Sequence, residues 1–135
     1  MNILFVCTGN TCRSPMAAAL FADLAAKAGK TGIEVSSAGI SAYPGVPASS
    51  EAVRVMEEHG LDIRDHRARR LTPDLIGNAD LILCMNHGHL AAVRALGAGD
   101  RARLLSEYAA GQDVEIDDPF GRGVGTYRSC AAQLH

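Results

Sequence analysis

The chain has 135 residues, 47% of them apolar and 21% charged, with a formal net charge of −2 at pH 7. That length suits one domain spanning residues 1–135 with a substantial core, and the composition excludes disordered, low-complexity and fibrous classes. A near-neutral balance gives no global attraction to nucleic acid or an anionic membrane, so neither is an expected partner, and the local cluster Arg64, Arg67, Arg69 and Arg70 reads as a solvated face.

Ile3 to Val6 is a short, wholly apolar run, the pattern of a strand buried on both faces of a parallel sheet. Ser14 and Pro15 start a helix. Proline fits a first helical turn, where its missing N–H costs nothing, and Met16 to Ala28 are strong helix formers that stop at Gly29. Ile33 to Ser37 reads as a second strand, followed by a loop through Gly39, Pro44, Gly45 and Pro47. Ser49 or Ser50 caps the next helix, which carries apolar Ala52, Val53, Val55 and Met56 and stops at Gly60.

Thr72 and Pro73 begin a short helix, Leu81 to Met85 is an apolar strand, Leu90 to Leu96 is helical, and Arg103 to Leu105 is a fourth strand. An acidic loop from Asp113 to Asp118, a turn at Pro119 to Gly123 and a helix from Tyr127 follow, the last apparently short, with His135 about two turns on. This alternation implies an α/β doubly wound parallel sheet with helices on both faces. Ligands in such sheets sit at the carboxyl ends of the strands, beside a topological switch point. The apolar opening is too short for a signal-peptide core and no segment approaches transmembrane length. Four cysteines without framework spacing fit a reducing compartment, so the cytoplasm is the expected location.

The loop after the first strand, Cys7 to Ser14, reads CTGNTCRS. Backbone N–H groups at a helix entrance favour a thiolate and also bind phosphate. Gly9 permits the curvature that points successive N–H groups of Thr8, Asn10, Thr11 and Cys12 at one anion. Arg13 can clamp two phosphoryl oxygens with its planar fork, which a lysine point charge cannot do. Cys7 is then a covalent nucleophile, Arg13 a transition-state stabiliser, and Ser14 a hydroxyl that eases departure of the sulfur. Taken singly, each residue also fits a bland role as core, solvated helix residue or cap; the shared strand-to-helix junction is what favours chemistry.

A cysteinyl-phosphate route also needs a proton donor for the leaving group that later serves as a base. Asp118, ahead of Pro119 and Phe120, is the candidate, with Asp117 as local rival and a solvated Asp-Pro turn as the ordinary alternative.

The segments CTGNTCRSPMA, SSAG at Ser36 to Gly39, HRAR at His66 to Arg69, LILCM at Leu81 to Met85 and DPF at Asp118 to Phe120 together resemble the low-molecular-weight protein tyrosine phosphatase family, in order along nearly the whole chain. The resemblance implies a four-stranded parallel sheet and metal-free hydrolysis with Cys7 as nucleophile, Arg13 as clamp and Asp118 as general acid. It also implies that Asn10, Ser14, Ser37 and His66 form a hydrogen-bond network supporting the loop, and that Cys12 can pair with Cys7 on oxidation, which protects the thiolate. The expected partner is a phosphorylated protein, and the expected assembly a monomer or weak homodimer.

Substrate choice is assigned to Thr11, Tyr43 and Phe120. Eukaryotic members of the resembling family carry a bulkier aliphatic residue at Thr11 and two aromatics after the DP pair, whereas Phe120 here precedes Gly121. Bacterial members that dephosphorylate arginine resemble this chain in both features, so phosphoarginine is favoured. Phosphotyrosine stays open because Tyr43 lies where tyrosine phosphatases place an aromatic flanking a phenyl ring.

Two further readings remain. Arsenate reduction would use Cys84 or Cys130 as relay thiols, although Cys84 in LILCM reads as a core residue. A phosphate-binding module with impaired catalysis is the other, kept by the short final helix. No cofactor or metal is expected: His87 and His89 lack a nearby third ligand and read as surface or capping residues, and the acidic loop lacks calcium spacing.

Overall fold

The computed structural model describes residues 2–11, 13–27, 29 and 32–105. The expected acidic loop, following turn and last helix, with Asp113, Asp117, Asp118, Phe120 and Cys130, lie outside the described residues, as does Cys12.

The wholly apolar run near the start forms the centre of a parallel sheet. Strands β1 (Asn2–Cys7), β2 (Glu34–Gly39), β3 (Leu81–Cys84) and β4 (Ala102–Leu104) lie in the order β2-β1-β3-β4, every pair parallel. The registers run Cys7 opposite Gly39, Val6 opposite Cys84, and Cys84 opposite Leu104. Helices α1 (Arg13–Lys27), α2 (Ser50–Glu58), α3 (Pro73–Asn78) and α4 (His87–Ala95), with a 3-10 turn at Gly99–Arg101, connect them.

Alternation along β1 divides the core. Ile3, Phe5 and Cys7 face one layer with Met16 and Leu20 of α1 and Ala52, Val55 and Met56 of α2; Leu4 and Val6 face the other with Ile76 of α3 and Val93 of α4. A strand with helices on both sides has no solvent face to serve, which is why it reads as an unbroken apolar run. The chain passes from β1 to β2 on one side and then returns to β3 on the other. The switch point therefore falls between β1 and β3, at the end of β1 where Cys7 sits.

The boundaries differ from the sequence reading by a residue or two. Helix α1 begins at Arg13, so Pro15 is its third residue, still within the turn whose N–H groups lack intrahelical acceptors. Strand β2 runs on to Gly39, and α4 starts at His87 because the Asn86 side chain accepts the His89 N–H at 2.8 Å. Ser49, not Ser50, caps α2, and Thr72 caps α3. Among the described residues, no helix is long and apolar enough to cross a membrane.

Candidate active site

Three backbone bonds hold the loop after β1 against the chain beyond β2: the N–H of Ile40 to Cys7 O at 3.0 Å, of Ser41 to Thr8 O at 3.0 Å, and of Ser49 to Thr11 O at 2.9 Å. Gly39 makes the approach possible. A Cβ there would lie 2.5 Å from Thr8 O and 2.9 Å from Asn10 N, so no side chain fits without moving backbone.

Asn10 is the centre of the loop. It is fully buried and has φ +57°, the left-handed region that asparagine tolerates better than most residues. Its Oδ1 accepts the backbone N–H of Arg69 at 2.8 Å. Because that partner can only donate, the amide orientation is decided and Nδ2 is the donor end. Nδ2 then donates to Ser14 Oγ at 2.8 Å and Ser37 Oγ at 2.9 Å. Ser14 Oγ also lies 2.9 Å from Cys7 Sγ, in a hydrogen bond where either atom can donate. The Asn10 backbone N–H also reaches Sγ, at 3.3 Å. The Ser14 hydroxyl and the Asn10 N–H thus both meet the sulfur.

The Asn10 carbonyl accepts from His66 Nε2 at 2.7 Å, which places the imidazole proton on Nε2. Burial is the main reason the His66 pKa lies below its ordinary value, reinforced by Arg67 and Arg69 and opposed by the bond to Asn10. Arg13 opens α1, is 2% exposed, and directs one terminal nitrogen to Thr8 Oγ1 at 3.4 Å. The first N–H groups of a helix lack internal acceptors and carry partial positive charge, so an anion at this end meets both the dipole and the guanidinium.

Cys7, Thr8, Gly9, Asn10, Thr11, Arg13, Ser14, Ser37 and His66 thus lie together at the end of β1. The Thr11 hydroxyl lies 3.7 Å from where a Cβ on Gly9 would stand. Tyr43 projects from the segment beyond β2, 80% exposed and outside the network. Asp118, Phe120 and Cys12 fall outside the described residues, and Cys7 is a free thiol. A cleft of about 430 Å³ lies behind the loop, between α1, β2 and His66. It borders the supporting residues of the loop, Ser37 and His66.

Three functional contributions escaped the sequence reading. Gly39 reads in sequence as a loop residue closing the SSAG segment, and its tight contact depends on a strand alignment that no local pattern encodes. Arg69 was placed on a solvated face, yet its main-chain N–H orients Asn10 and its Nε donates to Ser37 O at 3.2 Å. His89 was read as surface or capping, whereas its side chain is 2% exposed and bonds Thr8; the two-residue spacing from His87 hides that a helix start turns one outward and the other inward. Cys84 is wholly buried, and burial pushes its thiol up to about 12, which suits a core residue and not a redox relay.

A family profile described as low molecular weight phosphotyrosine protein phosphatase matches residues 2–135. A probable low molecular weight protein-tyrosine-phosphatase, EpsP, of Ralstonia nicotianae is 52% identical over 135 residues, covering 98% of this chain and 88% of its own. A protein-arginine-phosphatase of Bacillus subtilis is 38% identical over 136 residues, 99% of this chain and 89% of its own. Among solved structures, the arginine phosphatase YwlE, as a C7S mutant with a phosphorylated active-site serine, matches with a TM-score of 0.92 and 39% identity over 99% of this chain and 88% of that one.

Proposed function

The chain belongs to the low molecular weight phosphotyrosine protein phosphatase family, cysteine-dependent hydrolases, and from this we propose that Cys7, Arg13 and Asp118 carry its chemistry on phosphorylated protein side chains. The supporting observation is the Asn10-centred chain of bonds that brings the Ser14 hydroxyl and the Asn10 N–H to Cys7 Sγ. In the first step Sγ attacks phosphorus in line; an S–P bond forms, the bond to the leaving group breaks, and Asp118 gives the leaving atom its proton. In the second, Asp118 takes a proton from water, the oxygen attacks phosphorus, and the S–P bond breaks to return thiolate and inorganic phosphate. Arg13 binds two equatorial oxygens throughout, and Ser14 stabilises the sulfur as it leaves.

The substrate reading is phosphoarginine. Thr11 brings a hydroxyl and a small methyl, compatible with a polar guanidino group beside the phosphate, and the matched arginine phosphatases support the assignment. A second reading, phosphotyrosine, is supported by Tyr43, an exposed aromatic on the segment tied to the loop, and by the tyrosine phosphatase relative. Turnover of p-nitrophenyl phosphate should vanish in a folded Cys7→Ser variant; retained turnover removes Cys7 from the role. With phosphoarginine and phosphotyrosine peptides, wild type should show the higher kcat/KM for phosphoarginine, and Thr11→Ile should shift the ratio about tenfold toward tyrosine. A wild-type preference for phosphotyrosine, unmoved by Thr11→Ile, selects the second reading.

A further inference from the structure

The α4 side of the phosphate loop has its own support, separate from the Asn10 chain. His89 is the third residue of α4, is 2% exposed, and places Nε2 2.8 Å from Thr8 Oγ1. Arg13 approaches the same oxygen with a terminal nitrogen at 3.4 Å. A guanidinium has only donors, so Thr8 Oγ1 accepts from Arg13. Whichever atom donates in the other bond, the Thr8 oxygen is held between an imidazole and the guanidinium. The imidazole is itself fixed in place: the Asn86 side chain caps the His89 N–H at 2.8 Å, and Val93 anchors α4 under β3.

We propose that His89 is a positioning residue for Arg13, acting through Thr8. With one guanidinium donor directed to Thr8, the rotamer of Arg13 is set before phosphate arrives. Ordering a long side chain in advance removes part of the entropy lost on binding. The two supports are complementary. Asn10 aims the sulfur from the β2 side, and His89 aims the arginine from the α4 side. This inference rests on Arg13 being the phosphate clamp of the proposed function.

The test is titration calorimetry of inorganic phosphate on the full chain, alongside thermal melting, which needs no turnover. His89→Phe fills the buried space without a hydrogen bond, and Thr8→Val keeps the shape of the side chain without the hydroxyl. Each should weaken phosphate binding by about two- to tenfold, the worth of one ordered hydrogen bond. The double variant should weaken it no further than either alone, and His89→Gln, whose amide reaches the place of Nε2, should restore binding to within about twofold. A merely structural histidine would lower the melting temperature without this shared effect. Unchanged phosphate affinity in Thr8→Val, or effects that multiply in the double variant, overturns the proposal. If His89→Phe does not fold, Thr8→Val decides alone. Arg13→Lys separates the two layers of argument: weakened binding there with an indifferent Thr8→Val overturns only the role of His89, whereas unchanged binding in Arg13→Lys removes the clamp itself and the inference with it.

Discussion

At the scale of single residues, the site depends on groups that have only one way to satisfy their partners. The Arg69 N–H decides which end of the Asn10 amide donates, and the amide in turn holds Ser14 beside the sulfur. Asp in place of Asn10 would put an acceptor where two serines need a donor. His66 adds a titratable support with a definite sign. Burial, with Arg67 and Arg69 nearby, lowers its pKa from the ordinary 6.5, so as pH falls the unfolded chain takes up that proton first. Its contribution is therefore intact above pH 6.5 and declines as pH drops below that value. His66→Gln keeps an N–H within reach of Asn10 O but does not titrate. Urea unfolding of this variant should show a shallower loss of stability below pH 6.5 than wild type; an identical slope removes His66 from the account.

At the scale of elements, short helices are delimited by local chemistry. Ser49, Thr72 and Asn86 each offer a side-chain oxygen to an early N–H of α2, α3 and α4. The far end of α2 closes with Gly60 at φ +76°, whose N–H bonds Glu57 O while that of Leu61 bonds Met56 O. Between elements, the demanding contact is β2 against the phosphate loop. Gly39→Ala would force a Cβ to within 2.5 Å of a backbone oxygen that cannot rotate away. Moving the loop by the several tenths of an ångström required should lower kcat by about 10²-fold, and overpacking of this kind costs about 1–3 kcal/mol of stability. Steady-state kinetics on a Gly39→Ala protein that keeps wild-type turnover would show the loop to be more compliant than its bonds suggest.

For the molecule as a whole, β1 and β3 join two apolar layers by presenting alternate side chains to each. Met56 lies wholly buried in the α1 and α2 layer and Ile76 in the α3 and α4 layer. Truncation of either to alanine should cost about 2–5 kcal/mol. With the sheet between them and no shared layer, the double variant should be additive within about 0.5 kcal/mol. Far-ultraviolet circular dichroism and tyrosine fluorescence should follow one coincident transition in urea, since neither layer can lose its helices without exposing the same strands. Two separated transitions would show that the layers unfold independently.

Sequence alone determined the alternation of strands and helices, the parallel class of sheet and the loop holding Cys7 and Arg13, because these rest on local periodicity, turn chemistry and a contiguous octapeptide. Resemblance of motifs added Ser37 and His66, which nothing local marks. Tertiary structure decided what depends on separate segments meeting: Gly39 as the only residue that fits against Thr8 and Asn10, the Arg69 main chain as the group that orients Asn10, and His89 turned inward to Thr8 while His87 faces out. Cys84 was legible as a core residue from its apolar neighbours, and its raised pKa has the same origin in burial. The candidate nucleophile and clamp lie in one short loop, but the bonds that hold that loop come from residues 27 to 81 positions away along the chain, brought there by the packing of the sheet.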